Sequence, residues 1–152
     1  MPAYRLFELL AETRPDPAAF ERRLELLDPE ALLELAADVV DASAAVREPW
    51  RGPYEPRGDY CFSEDATEDL TDWIVAQGET FWRALVGAED EALLRAAAER
   101  DREGPGTEAR WRGRSPPVRG LIYDAYDSRR ADEDYFAGLE RVLSTRGRGP
   151  RS

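Results

Sequence analysis

The 152-residue sequence predicts an all-α fold, a single compact multi-helix bundle with two long irregular loops. Large apolar residues recur every three or four positions along most of the chain, which is the period of a helix with one buried face. Helix-start signals separate these runs, and no stretch of useful length alternates apolar and polar residues as a strand does. We expect one domain over residues 1–145 and a disordered tail over 146–152, which lacks large apolar side chains.

Three helices are predicted in the first third of the chain. Apolar residues line one side of a short helix from Tyr4 to Glu12. Asp16-Pro17 and Asp28-Pro29 each place an N-cap aspartate before a proline at the first helical position, where the missing N–H costs nothing. The helix that starts at Asp28-Pro29 should run to about Val46.

The stretch from 63 to 94 holds the clearest helix start of the chain. Asp65 and Glu68 form a pair that resembles a capping box, and apolar residues follow at spacings of three and four. Gly78 interrupts this pattern, so we expect a kink there. A further helix is predicted from Glu89 to Arg102.

Two more helices should close the bundle. Apolar residues at helical spacing predict one helix from Val118 to Arg130 and another from Asp132 to Ser144. The inner face of the latter should carry Phe136, Leu139, Val142 and Leu143. The segments 47–62 and 103–117 are rich in proline and glycine, so we expect them to be the two irregular loops.

The composition limits where the protein works and what it binds. All 21 basic residues are arginine, the formal net charge is -11, and the chain has no histidine and no lysine. This pattern indicates a GC-rich bacterial genome, with a halophile as the lesser alternative. The single cysteine, Cys61, fits a reducing cytoplasm, and no signal peptide or membrane span is apparent. The negative charge disfavours nucleic acid and anionic membranes and favours a basic protein partner.

The missing residue types exclude most familiar active sites. Without histidine there is no Ser-His-Asp or Cys-His catalysis, and without lysine there is no Schiff base or phosphate-binding loop of the Walker type. Cys61 could act as a nucleophile beside a helix N-terminus, but a small buried residue is the simpler interpretation. We therefore expect no cofactor and favour a binding protein over an enzyme.

Aromatic and arginine side chains predict the binding surface. Loops of this length are often functional, and the first loop carries Trp50 and Tyr54, although these rings could simply seal an edge of the core. The second loop carries a basic and aromatic cluster that could grip a phosphate or fold against the acidic helices. The predicted binding residues are Trp50, Tyr54, Trp73, Gln77, Trp82, Arg110, Trp111 and Arg112.

The acidic helix start offers an alternative chemistry. Asp65, Glu68, Asp69 and Asp72 repeat every three to four residues and could jointly bind Mg²⁺, Mn²⁺ or Ca²⁺. Asp65, Glu68 and Asp72 would be the ligands of a carboxylate-metal-dependent hydrolase. Acids in a first helical turn also complement the helix dipole, so a solvated face is the simpler interpretation.

The same stretch resembles an uncharacterised bacterial family, the domain of unknown function 4240. The matching residues are Ser63, Glu64, Asp65, Leu70, Trp73, Ile74, Gly78, Trp82, Leu85 and Asp90. The helix from Pro29 and the segment 122–126 are similar more loosely. Leu70 holds a matching apolar position where the family pattern has an aromatic residue, and Thr67 and Thr71 depart from the pattern. The resemblance implies a small helical bacterial domain without an established activity. We expect a cytoplasmic protein-protein interaction module, with an immunity or antitoxin protein as one concrete form.

Overall fold

The structure, a computed structural model, describes residues 4–13, 16–46, 64–103 and 118–147. Within these ranges the chain forms eight α-helices and no strand, which confirms the all-α fold. The helices are α1 (Arg5–Thr13), α2 (Pro17–Leu24), α3 (Pro29–Val46), α4 (Glu64–Ala76), α5 (Glu79–Leu85), α6 (Asp90–Glu103), α7 (Val118–Ser128) and α8 (Tyr135–Thr145).

Helix α3 is the centre of the bundle. It packs against α1, α4, α7 and α8, so its apolar residues are buried on several sides. A helix that is covered on several sides must be apolar around most of its circumference, and the sequence of α3 meets this requirement. Its side chains join those of the surrounding helices in one hydrophobic core, to which α3 contributes Leu32, Leu33, Leu35, Ala36, Ala37, Val39, Ala42 and Val46.

Aspartate side chains start three of the helices. The Asp16 carboxylate accepts a hydrogen bond from the Ala18 N–H at 2.9 Å, and Asp28 accepts one from the Ala31 N–H at 2.8 Å. Both predicted Asp-Pro helix starts are therefore confirmed, because each carboxylate satisfies a backbone donor that the first turn leaves free. Asp134 caps α8 in the same way, two residues after the predicted start.

Gly78 ends one helix and starts the next, where the sequence predicted only a kink. Its φ of 103° lies in the left-handed region, which side chains other than glycine rarely adopt. Helix α4 stops at Ala76, and Gly78 becomes the N-cap of the seven-residue α5. This break directs Trp82 of α5 into the core, where its Nε1–H donates to the Ala42 carbonyl oxygen at 2.8 Å.

Helices α7 and α8 form a hairpin that rests on α3. The Tyr126 hydroxyl of α7 donates to the Glu133 carbonyl oxygen at 2.6 Å and so fixes the turn between them. Gly138 brings α8 close to α3, because a Cβ atom at this position would lie 2.7 Å from Leu33 Cδ1. The hairpin is therefore held at its turn and along its inner face.

The end of α8 corrects the prediction of a tail that is disordered from residue 146. Arg146 caps α8 and donates through its guanidinium to the carboxylates of Glu34 at 2.6 Å and Asp38 at 2.9 Å. These ion pairs hold Arg146 against α3, which the apolar pattern alone could not show. Residues 148–152 lie outside the described ranges.

Both predicted loops fall largely outside the described chain. Residues 47–62 are not described, and neither are 104–117, while Glu103 belongs to α6. Among the described helices, none combines the length and apolar character that crossing a membrane requires.

Candidate protein-binding surface

The acidic face of α4 contacts an arginine of α7. The Asp72 carboxylate accepts two hydrogen bonds from Arg119, each 2.9 Å long, in the forked geometry that suits a guanidinium. Ser43 of α3 donates its hydroxyl to the same carboxylate at 2.7 Å. The buried Asp72 thus has three donors from two helices, and it joins α3, α4 and α7.

This arrangement accounts for two of the three predicted metal ligands. Glu68 lies 3.7 Å from the Arg119 guanidinium, so Glu68 and Asp72 share one cation from the protein itself. Burial acts to lower the pKa of the Arg119 guanidinium, but the hydrogen bonds to Asp72 and the negative charges of Asp72 and Glu68 together raise the pKa above its ordinary value. The side chain of Asp65 lies outside the described part, and the described residues contain no group of three or more metal-binding side chains.

Trp73 and Trp82, which the sequence placed on the binding surface, lie in the core. Trp82 is fully buried, and its ring contacts Phe7 with centroids 4.9 Å apart. Trp73 is buried and packs edge-to-face on Phe81. We exclude both rings from the surface, because side chains of other helices cover each of them.

The remaining predicted surface residues are described only in part. Gln77 is half-buried and donates its side-chain amide to the Trp73 carbonyl oxygen at 3.1 Å, which caps the end of α4. The other predicted contact residues lie outside the described ranges, namely Trp50, Tyr54, Arg110, Trp111 and Arg112. Cys61 lies there as well.

Two exposed aromatic rings form a patch that the sequence prediction missed. Phe136 of α8 is 66% exposed and Tyr123 of α7 is 37% exposed, and their ring centroids are 6.0 Å apart. Tyr135 lies beneath both, with centroids 5.0 Å from Tyr123 and 5.2 Å from Phe136. We call Tyr123, Tyr135 and Phe136 the aromatic patch.

The sequence did contain a signal for this patch. Tyr135 and Phe136 are neighbours on a helix, about 100° apart around its axis, so one face cannot bury both equally. Tyr135, Gly138 and Val142 are the buried residues of α8, and their spacing of three and four turns Phe136 outward. The prediction that Phe136 points inward was therefore wrong.

Carboxylates border the aromatic patch. Asp127 follows Tyr123 by four residues and Glu140 follows Phe136 by four, so each acid lies one turn further along the same helix face. Asp124 and Asp132 are also exposed on this hairpin. None of these four carboxylates forms an ion pair or side-chain hydrogen bond with another residue in the described ranges.

Comparison with protein-family models, with curated proteins and with solved structures finds no match to this chain. The resemblance to the domain of unknown function 4240 stays a prediction. The candidate surface therefore depends on the geometry and charge of the chain's own residues.

Proposed function

We propose that the protein is a protein-protein interaction module that binds a partner with a basic surface. The observation that carries this proposal is the net charge of -11, together with exposed carboxylates that form no ion pair within the described chain. Such a surface attracts positively charged proteins and accelerates their encounter.

Four arginines of the described bundle support this proposal, because their side chains contact groups of the same chain. Arg119, Arg141 and Arg146 each lie between carboxylates of the same chain. Arg129 donates to the carbonyl oxygens of Leu24 and Glu25 at the end of α2. Because these cations are used inside the fold, the acids that remain exposed are available to an external cation.

An immunity or antitoxin protein is one concrete form of this proposal. Such a protein would neutralise a basic toxin in the cytoplasm of a bacterium with a GC-rich genome. The same negative charge repels the phosphates of nucleic acid and the headgroups of anionic lipids, so neither is proposed as a partner.

Affinity capture followed by reconstitution tests the proposal. The full chain is immobilised on a support and incubated with native lysate at low and at high salt. Each captured protein is then purified, and its binding to the full chain is titrated. We expect a basic protein whose affinity falls as salt rises, because salt screens exposed charges. A parallel capture with Trp50→Ala tests whether the first loop takes part. Reconstituted partners that are acidic, or that bind independently of salt, would contradict the proposal.

A carboxylate-metal-dependent hydrolase with Asp65, Glu68 and Asp72 as ligands is the alternative function. It has weaker support, since Arg119 already pairs with both Glu68 and Asp72. Calorimetric titration with Mg²⁺, Mn²⁺ and Ca²⁺ separates the alternatives. Heat of binding and a raised melting temperature, both lost in Glu68→Gln, would favour the hydrolase.

A further inference from the structure

We propose that the aromatic patch on α7 and α8 is the docking surface, and that it takes an arginine-rich segment of the partner protein. This inference rests on the proposed function, and it adds the location of the surface and the chemistry of the ligand.

The exposed rings offer a surface for an apolar or cationic side chain. Phe136 leaves two-thirds of its area in solvent, with a relative exposure of 66%, and it adjoins Tyr123. Single exposed apolar residues are common, but adjoining exposed rings over a buried third ring provide a wider contact area. The negative face of an aromatic ring also attracts a guanidinium within about 6 Å of its centroid.

The bordering acids select arginine as the ligand. Asp127 and Glu140 lie one helical turn from Tyr123 and Phe136, and neither carboxylate has a cationic partner in the described chain. A guanidinium can lie flat on a ring and donate two parallel hydrogen bonds to a carboxylate at its edge, whereas an ammonium cannot match this planar geometry. The combination of rings and acids therefore favours arginine over lysine.

Charge also argues against other occupants of the patch. A second copy of the chain would place its own Asp127 and Glu140 close to the same two acids. Carboxylates of two copies repel each other at close range, so this arrangement is unfavourable. An anionic membrane would meet the same repulsion. A basic segment instead gains from both the rings and the carboxylates.

The hairpin presents these groups in a fixed arrangement. The Tyr126 hydroxyl fixes the turn, and the Asp134 side chain accepts a hydrogen bond from the Ala137 N–H at 3.2 Å. Arg141 ties α8 to α3 through Glu30 at 2.7 Å. A surface that is ordered before binding loses little conformational freedom when the ligand arrives.

Fluorescence anisotropy with short synthetic peptides tests the inference on the full chain. One probe carries leucines at helical spacing with arginines between them, and two matched probes carry lysine or glutamine in place of arginine. We expect the arginine probe to bind best, the lysine probe several-fold more weakly, and the glutamine probe not at all. Salt should weaken the binding of the arginine probe.

Matched variants locate the binding. Phe136→Ser and Tyr123→Ser should each weaken the arginine probe about tenfold, as the loss of an anchoring aromatic residue does. The paired change Asp127→Asn and Glu140→Gln should weaken it as well and reduce its salt dependence. Leu26→Ser is the control, because Leu26 is 78% exposed but lies between α2 and α3. Circular dichroism checks that each variant keeps its helices.

The outcomes separate this inference from the proposed function. Arginine-dependent binding that Phe136→Ser and Leu26→Ser change equally would overturn the docking surface and leave the proposed function standing. If the wild-type chain does not bind the arginine probe but captures a basic partner, the docking surface is overturned and the proposed function stands. Sedimentation that shows a dimer, lost in Phe136→Ser, would assign the patch to self-association and overturn it too.

Discussion

At the scale of single residues, arginines connect helices that are distant in the sequence. Arg119 joins α7 to Asp72 of α4, and Arg146 joins the end of α8 to three acids of α3. Each of these guanidinium groups is partly buried, so its charge must be matched by nearby carboxylates. The chain has no lysine, and the planar fork of arginine suits such shared contacts.

Removal of Arg119 should be strongly destabilising. Arg119→Leu leaves the buried Asp72 carboxylate with Ser43 as its one remaining side-chain donor in the described chain, and an uncompensated buried charge costs about 3–5 kcal/mol. We expect the free energy of unfolding to fall by about 3 kcal/mol, at the lower end of this range, because Arg119 is partly exposed. Urea unfolding measures the loss.

Two further variants control this experiment. Arg83→Ala breaks an exposed pair with Glu79 and should cost less than about 1 kcal/mol. The double change Asp72→Leu with Arg119→Leu should cost less than the sum of the single changes, because it removes both charges together. Additive losses would show that Asp72 and Arg119 do not interact.

Asp38 should give the stability a distinct pH dependence. Burial raises the pKa of Asp38 above its ordinary value of 3.8, although the Leu6 N–H and the Arg146 guanidinium act to lower it. The folded state then holds the proton more tightly than the unfolded state does, so the contribution of Asp38 is largest below pH 3.8 and falls as pH rises through the raised pKa.

Comparison with Asp38→Asn isolates this contribution. The free energy of unfolding of the wild type, minus that of Asp38→Asn, should decrease as pH rises above 3.8. Urea titrations of both proteins between about pH 3 and pH 7 measure the difference. A difference that increases over this range would contradict the raised pKa.

At the scale of secondary-structure elements, the short helix α5 depends on one side chain. A seven-residue helix is too short to be stable by itself in water. Trp82 holds it in place, since the indole is fully buried, contacts Tyr4 and Phe7, and donates to the Ala42 carbonyl oxygen.

Replacement of Trp82 should therefore loosen α5 and α1 together. Trp82→Ala should lower the free energy of unfolding by about 3–5 kcal/mol, as large-to-small changes in a core do. Trp82→Phe keeps most of the apolar area but removes the hydrogen bond to the Ala42 carbonyl oxygen. It should therefore lower the free energy of unfolding by about 1 kcal/mol. Denaturant unfolding measures both, and Phe136→Ala serves as the exposed control with a change within about 0.5 kcal/mol. Equal losses at Trp82 and Phe136 would show that α5 does not depend on the indole.

The sequence predicted most helices because apolar periodicity and Asp-Pro starts are local signals. It predicted a kink at Gly78, whereas the chain breaks there into α4 and α5. A glycine in the sequence indicates a weaker helix, but it does not show that the residue adopts a left-handed φ. It also named Trp73 and Trp82 as binding residues although both are buried, and it placed Phe136 on the inner face although that ring is exposed. Helical spacing shows that residues share a face, but the neighbouring helices decide which face is buried. Contacts such as that of Arg119 with Asp72 join residues 47 positions apart in the sequence, so local patterns do not predict them.

At the scale of the whole molecule, the excess of acids sets a balance between solubility and self-repulsion. The net charge of -11 acts against the compact state. Exposed ion pairs such as Arg23 with Glu12 add little stability in return.

Salt should consequently stabilise the folded chain. We expect the melting temperature at pH 7 to rise between about 0.01 M and 0.15 M ionic strength, over which the Debye length shortens from about 30 Å to 8 Å. Differential scanning calorimetry measures the change, and the same scan with a neutral osmolyte controls for general solvent effects. A melting temperature that falls with salt would show that attraction between paired charges exceeds repulsion.

The central position of α3 also affects how the chain folds during synthesis. Its apolar faces are covered by α1 and α4, but also by α7 and α8, which leave the ribosome much later. Until α8 emerges, the nascent polypeptide exposes a hydrophobic surface that chaperones bind and that is prone to aggregation. The pace of translation between α3 and α8 therefore sets how long each new molecule is vulnerable.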